Sequence, residues 1–129
     1  MVSTSKNAAS LREELEDLYA EFRRMHFPAS TNDERVRELH DILIMYTNDV
    51  SPAIMEVLKG PRRLFKVRHY LGIRKNRRVE SLIRELSRSK LDVGVDDVLK
   101  EYNKRYAHMT KMIDVALALL KVRGRGDRN

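Results

Sequence analysis

Four side chains on one short stretch raise the first chemical question. Arg77, Ser81, Arg84 and Arg88 follow one another at spacings of 4, 3 and 4 residues. At 100° per residue this gathers them into one narrow helical stripe, with Val79, Leu82, Ile83 and Leu86 on the opposite side. Guanidinium groups take phosphate oxygens bidentately and a serine hydroxyl donates to the same acceptor, so the pattern suits a nucleic-acid backbone. A similar arrangement precedes it. Across 61–71, Leu64, Val67 and Leu71 share one face and Arg62, Lys66 and His69 the other, while Arg63, Arg74, Lys75 and Arg78 extend the basic surface. The expected phosphate-contacting set is therefore Arg62, Arg63, Lys66, His69, Arg74, Lys75, Arg77, Arg78, Ser81, Arg84 and Arg88.

The charge distribution supports a polyanionic partner. The chain has 129 residues with 26 Lys and Arg against 19 Asp and Glu, a net charge of +7. Residues 1–60 carry −4, residues 61–90 carry +9 and residues 91–129 carry +2. A +9 block within thirty residues repels itself unless something anionic relieves it, and the usual candidates are nucleic-acid phosphates or an anionic membrane surface. Of the nucleic acids, double-stranded DNA is the expected ligand ahead of RNA.

Other chemistries are poorly supported. With no cysteine, a disulfide scaffold, a thiolate metal site, a thiol nucleophile and a redox motif are all excluded. His26, His40, His69 and His108 stand alone, without the three-to-five-residue pairing of a zinc site, so no metal and no cofactor is expected. Glu13, Glu14, Glu16, Asp17 and Glu21 read as a solvated helix face rather than paired catalytic carboxylates. No G-x-S-x-G, P-loop or dinucleotide-binding glycine pattern occurs, and a non-enzymatic protein is expected. The longest apolar run, Val115 to Leu120, is too short for a membrane span, and the first residues lack the apolar core of a signal peptide. Arginine outnumbers lysine 17 to 9 and glutamine is absent, a composition that leans towards a thermophilic source.

The elements that must hold the basic stripe are helices. Ser10 and Glu13 form a capping box ahead of Leu11, Leu15, Leu18, Phe22 and Met25, which places a first helix over 11–25. Thr31 and Glu34 form a second ahead of Val36, Leu39, Leu43, Tyr46 and Val50, with an end expected near Thr47. Ser51-Pro52 and Gly60 bracket a short third helix. Pro61 opens a fourth through Leu71, and a fifth runs from about Asn76 to Lys90. Beyond Gly94, Leu99, Tyr102, Tyr106, Met109, Ile113, Ala116 and Leu120 keep 3, 4 spacing, predicting the longest helix, on the order of 40 Å. Without sustained period-two alternation, the expectation is an all-α single helical domain of five to six helices with a long C-terminal helix, an N-terminal arm over 1–9 and a basic flexible tail over 123–129. Leu99, Tyr102, Tyr106, Met109, Ile113 and Leu120 form a heptad seam able to serve as core or as an interface in a homo- or hetero-oligomer.

Two family resemblances follow. Val67 to Leu82, with Leu71-Gly72-Ile73 at a turn followed by a polar run and Val79, resembles the helix-turn-helix of bacterial and phage repressors. Arg68 stands where that family has a small residue, and Val79 and Leu82 lie one residue late. In size, basicity, absent cysteine and all-helical layout the chain also resembles the coat nucleoproteins of filamentous viruses of hyperthermophilic archaea. That resemblance implies coating of linear double-stranded DNA without sequence specificity and a place in the virion; otherwise a cytoplasmic protein is expected. The alternatives in function are a helix-turn-helix transcriptional regulator and a helical adaptor using the heptad seam.

Overall fold

The computed structural model describes residues 7–28, 33–59, 77–89 and 93–126. They form four α-helices with no strand among them: α1 (Ala8–Arg24), α2 (Glu34–Lys59), α3 (Arg77–Ser87) and α4 (Val93–Gly126). The all-α class is as expected, with fewer helices than the five to six anticipated. The helix expected over 61–71 lies outside the described residues.

Local chemistry explains where the helices begin. Asn7, rather than Ser10, caps α1: its side-chain oxygen accepts from the Ser10 amide at 2.7 Å. The helix therefore starts inside the expected N-terminal arm, with Leu11, Leu15, Leu18 and Phe22 on its buried face. At the start of α2 the cap is Asp33. Its carboxylate accepts from the amides of Arg35 and Val36 at 2.9 and 3.2 Å, satisfying donors that a helix leaves free in its first turn. Burial pushes this carboxyl's pKa up, but the amides of Val36 and Arg35 and the Arg35 guanidinium together outweigh it and hold the pKa below its ordinary value. Thr31, the cap expected from the capping-box pattern, lies outside the described residues.

The expected break near Thr47 does not occur. α2 runs through Pro52 as one helix, so the separate short helix after Ser51 is part of it. Pro52 removes one intrahelical donor, at a cost of about 3 kcal/mol in a helix interior. It lies on the exposed side, as does Asn48, four residues before it. Beyond that point Val50, Ala53, Ile54 and Val57 remain buried. Burying Val50, Ile54 and Val57 contributes on the order of 5 kcal/mol or more, which outweighs the proline penalty.

α4 is the spine, 34 residues long and so about 51 Å. Two faces of it are covered. Tyr46 lies beside Tyr106, with ring centroids 5.9 Å apart, and the Thr47 hydroxyl approaches the Met109 sulfur at 3.7 Å. Further along, Arg123 donates to the Val57 carbonyl at 2.6 Å. Residue numbers rise together along both helices, so α2 and α4 run parallel. On the other face, His108 donates from Nε2 to the Leu18 carbonyl at 2.8 Å, and the Arg105 guanidinium lies 4.3 Å from the Phe22 ring centroid. α1 therefore runs antiparallel to α4. A parallel pair cannot be joined by a tight turn, and α3 lies within the long return from the end of α2 to the start of α4.

The heptad seam is thereby consumed within the chain. Leu99, Tyr102, Tyr106, Met109, Ile113 and Leu120 are all buried, in one continuous core with residues of α1, α2 and α3. Of the two roles expected for them, the structure shows packing within the chain, with α2 along the seam. A second buried row on α4, Arg105, Met112, Val115 and Leu119, widens the apolar face beyond a two-stranded coiled-coil seam. The helix also continues to Gly126, so residues 123–126 of the expected flexible tail are helical. Arg123 binds a carbonyl in the last turn of α2, where the helix dipole favours a cation.

Candidate nucleic-acid interface

α3 is amphipathic in the sense the spacing predicts. Val79, Leu82 and Leu86 are buried, and each contributes roughly 1.5–3 kcal/mol by leaving water. Arg77, Ser81, Arg84 and Arg88 are all exposed on the side away from them. The distance from Arg77 to Arg88 along the helix axis is about 16 Å, close to the rise of five base pairs of duplex DNA at roughly 3.4 Å each.

Contacts at both ends hold α3 against the first turns of α2. Arg78 donates to Glu38 Oε2 from Nε at 2.6 Å, with Nη2 at 2.5 Å from the same oxygen. Arg35 donates to the Ser89 hydroxyl at 3.1 Å, just beyond the far end of α3. That end is closed by tight backbone bonds, Arg88 N–H to Glu85 O at 3.2 Å and Ser89 N–H to Leu86 O at 3.1 Å. Arg84, in the last turn, and Arg88, just past it, sit near the negative end of the helix dipole, which stabilises their positive charge.

The stripe is electrostatically open. Among the described residues no carboxylate lies within 4 Å of Arg77, Arg84 or Arg88. Glu80 and Glu85, the two acids of the 61–90 block, flank the stripe on α3 at about −60° and +80° from Arg77. They narrow the positive strip without occupying it. Arg78 differs from its neighbours: it sits about 100° from Arg77 and spends its guanidinium on Glu38.

Of the expected contact set, Arg62, Arg63, Lys66, His69, Arg74 and Lys75 lie outside the described residues. So does the first part of the helix-turn-helix-like segment, up to Asn76. Residues 61–76 hold +6 of the block's charge and residues 77–90 the remaining +3. The structure adds Arg35 to the neighbourhood of α3, a residue whose position in the first turn of α2 looks solvated in sequence. Among the described residues no cluster of His, Asp or Glu is arranged to hold a metal ion, and no helix is long and apolar enough to cross a membrane.

Comparison of the chain with protein-family models, with curated proteins and with solved structures finds no match.

Proposed function

We propose that this chain is a non-enzymatic nucleic-acid-binding protein that grips the phosphate backbone through the outer face of α3. In the fullest form of this reading it coats or packages double-stranded DNA without reading its sequence, as part of an assembly of many copies. The observation that carries the proposal is the stripe of Arg77, Ser81, Arg84 and Arg88, exposed on a helix whose other side is buried, with no carboxylate within 4 Å of its arginines among the described residues. Such a stripe offers bidentate phosphate contacts on a rigid element.

Burial of the heptad seam weighs against the adaptor reading, since those side chains are already packed. A regulator and a packaging protein differ in discrimination. Titration of random double-stranded DNA, single-stranded DNA and RNA at several salt concentrations tests the proposal, with log affinity expected to fall by about 0.9 per phosphate contact per unit of log salt on duplex DNA. A flat salt response removes it. Selection from a random DNA pool that returns a sharp palindromic consensus, with a preference on the order of a thousandfold, favours the helix-turn-helix regulator instead.

A further inference from the structure

A second cationic feature lies elsewhere in the fold, in the middle of α4. Arg105 is 8% exposed and is the buried charged residue among those described. Its guanidinium carbon lies 4.3 Å from the Phe22 ring centroid and 4.6 Å from that of Phe27. Two phenyl rings thus cover the group, a cation–π arrangement that desolvates it while leaving the charge in place. The rings are themselves anchored. Phe22 stacks on His108 at 6.1 Å, and Phe27 meets Tyr102 edge-on at 5.3 Å. The chain just past Phe27 is held by the Tyr102 hydroxyl, which donates to the Pro28 carbonyl at 2.9 Å.

Nothing described neutralises this charge. Nε–H is shielded from solvent and has no hydrogen-bond partner. Glu101 stands one turn earlier on α4, in the i, i+4 order that favours a Glu–Arg pair, yet no ion pair joins them. The phenyl contacts hold the guanidinium elsewhere. Both rings lie against the group, and Nε alone of its nitrogens is shielded and unpartnered, so the Nη edge is the part that reaches solvent. That edge carries N–H donors in the parallel pair that matches two oxygens of an oxyanion. A desolvated guanidinium with unused donors costs stability that a bound anion would offset. Burial also lowers the pKa of Arg105, in keeping with an uncompensated charge.

We propose that Arg105, clasped between Phe22 and Phe27 with its Nη edge outward, is the recognition element of an oxyanion site for a phosphate group. Phosphate is favoured over a carboxylate because a dianion gains more from an uncompensated cation, and Arg23, Arg24 and Lys104 outnumber Glu21 and Glu101 among the charges that adjoin the clasp in sequence. The site uses none of the α3 residues and stands or falls apart from the nucleic-acid reading.

The test is a titration of the full chain with sodium phosphate against sodium chloride at matched ionic strength. The shielded Arg105 Nε–H gives a slowly exchanging 1H–15N signal, assigned by its loss in Arg105→Gln. In the parent it should shift saturably with phosphate and stay still with chloride. The phosphate-dependent rise in Tm, which includes the general stabilisation by an excluded anion and the part expected from linkage, should persist in Arg77→Gln/Arg84→Gln/Arg88→Gln, weaken in Phe27→Leu and be smallest in Arg105→Gln. A stationary Nε–H signal in the folded parent overturns the proposal, as does an equal rise in Tm in Arg105→Gln. Should Arg105→Gln fail to fold, the signal is assigned by through-bond correlation and the parent's titration alone decides.

Discussion

Arg78 gives both Nε and Nη2 to one carboxylate oxygen of Glu38, at 2.6 and 2.5 Å, and so ties the first turn of α3 to α2. The pair is substantially exposed, with side-chain accessibilities of 56% and 41%, and an exposed pair of this kind contributes at most about 1 kcal/mol. Its larger effect is on which arginines remain for a ligand. Glu38→Gln should leave stability nearly unchanged and remove the carboxylate charge that neutralises Arg78 beside the stripe. Duplex affinity should then rise, and the salt slope should steepen by up to about 0.9. Urea unfolding and a salt series on one DNA fragment measure the two effects, and a weakened affinity would mean that the pair positions α3 rather than withholding Arg78.

Replacing Arg77, Arg84 and Arg88 together by Gln keeps long helix-forming side chains on an exposed face. Folding should change by a few tenths of a kcal/mol per site. Binding should weaken almost equally for every DNA sequence, with the salt slope shallower by about 2.7 if each arginine holds one phosphate. A folded triple variant that binds as the parent does would leave the stripe a solvated surface.

Pro52 tests the continuity of α2. In an unbroken helix Pro52→Ala restores an amide donor facing the Asn48 carbonyl, and stability should increase by on the order of 1–3 kcal/mol. The greater freedom of the unfolded alanine chain takes back about 0.4–1 kcal/mol. Were Pro52 the first residue of a separate helix, its preset φ would be useful and the same change would destabilise. Thermal or urea unfolding separates the two signs.

The Tyr102 phenol has its pKa pushed from 10.0 to about 12, by burial first and then by the negative charge of Asp41. A raised folded-state value means that the neutral phenol is favoured in the fold. Its contribution is therefore complete below about pH 10 and is lost as pH climbs towards 12. Phenolate absorbance should show a late-titrating component that is missing in Tyr102→Phe. Loss of the hydrogen bond to Pro28 should itself cost about 1 kcal/mol at neutral pH, and the difference between parent and variant should shrink over the alkaline range.

Periodicity alone determined the helical class, one buried row of each helix and the outward stripe on α3. These depend on side-chain order along a helix of fixed pitch, as the burial of Val79, Leu82 and Leu86 opposite Arg77, Ser81, Arg84 and Arg88 illustrates. Local signals were less decisive where packing competed with them. Ser51-Pro52 has the form of a helix start, yet burial of Val50, Ile54 and Val57 carries α2 through it; Ser10 has the form of a cap, yet Asn7 takes that role one turn earlier. Tertiary structure alone decided that the heptad seam is internal, because its spacing is the same whether the facing helix belongs to the chain or to a partner. It also decided the position of Arg105. A lone arginine beside a seam reads as a solvated flank, and only the approach of Phe22 from α1 and Phe27 from the following segment converts it into a buried charge with free donors.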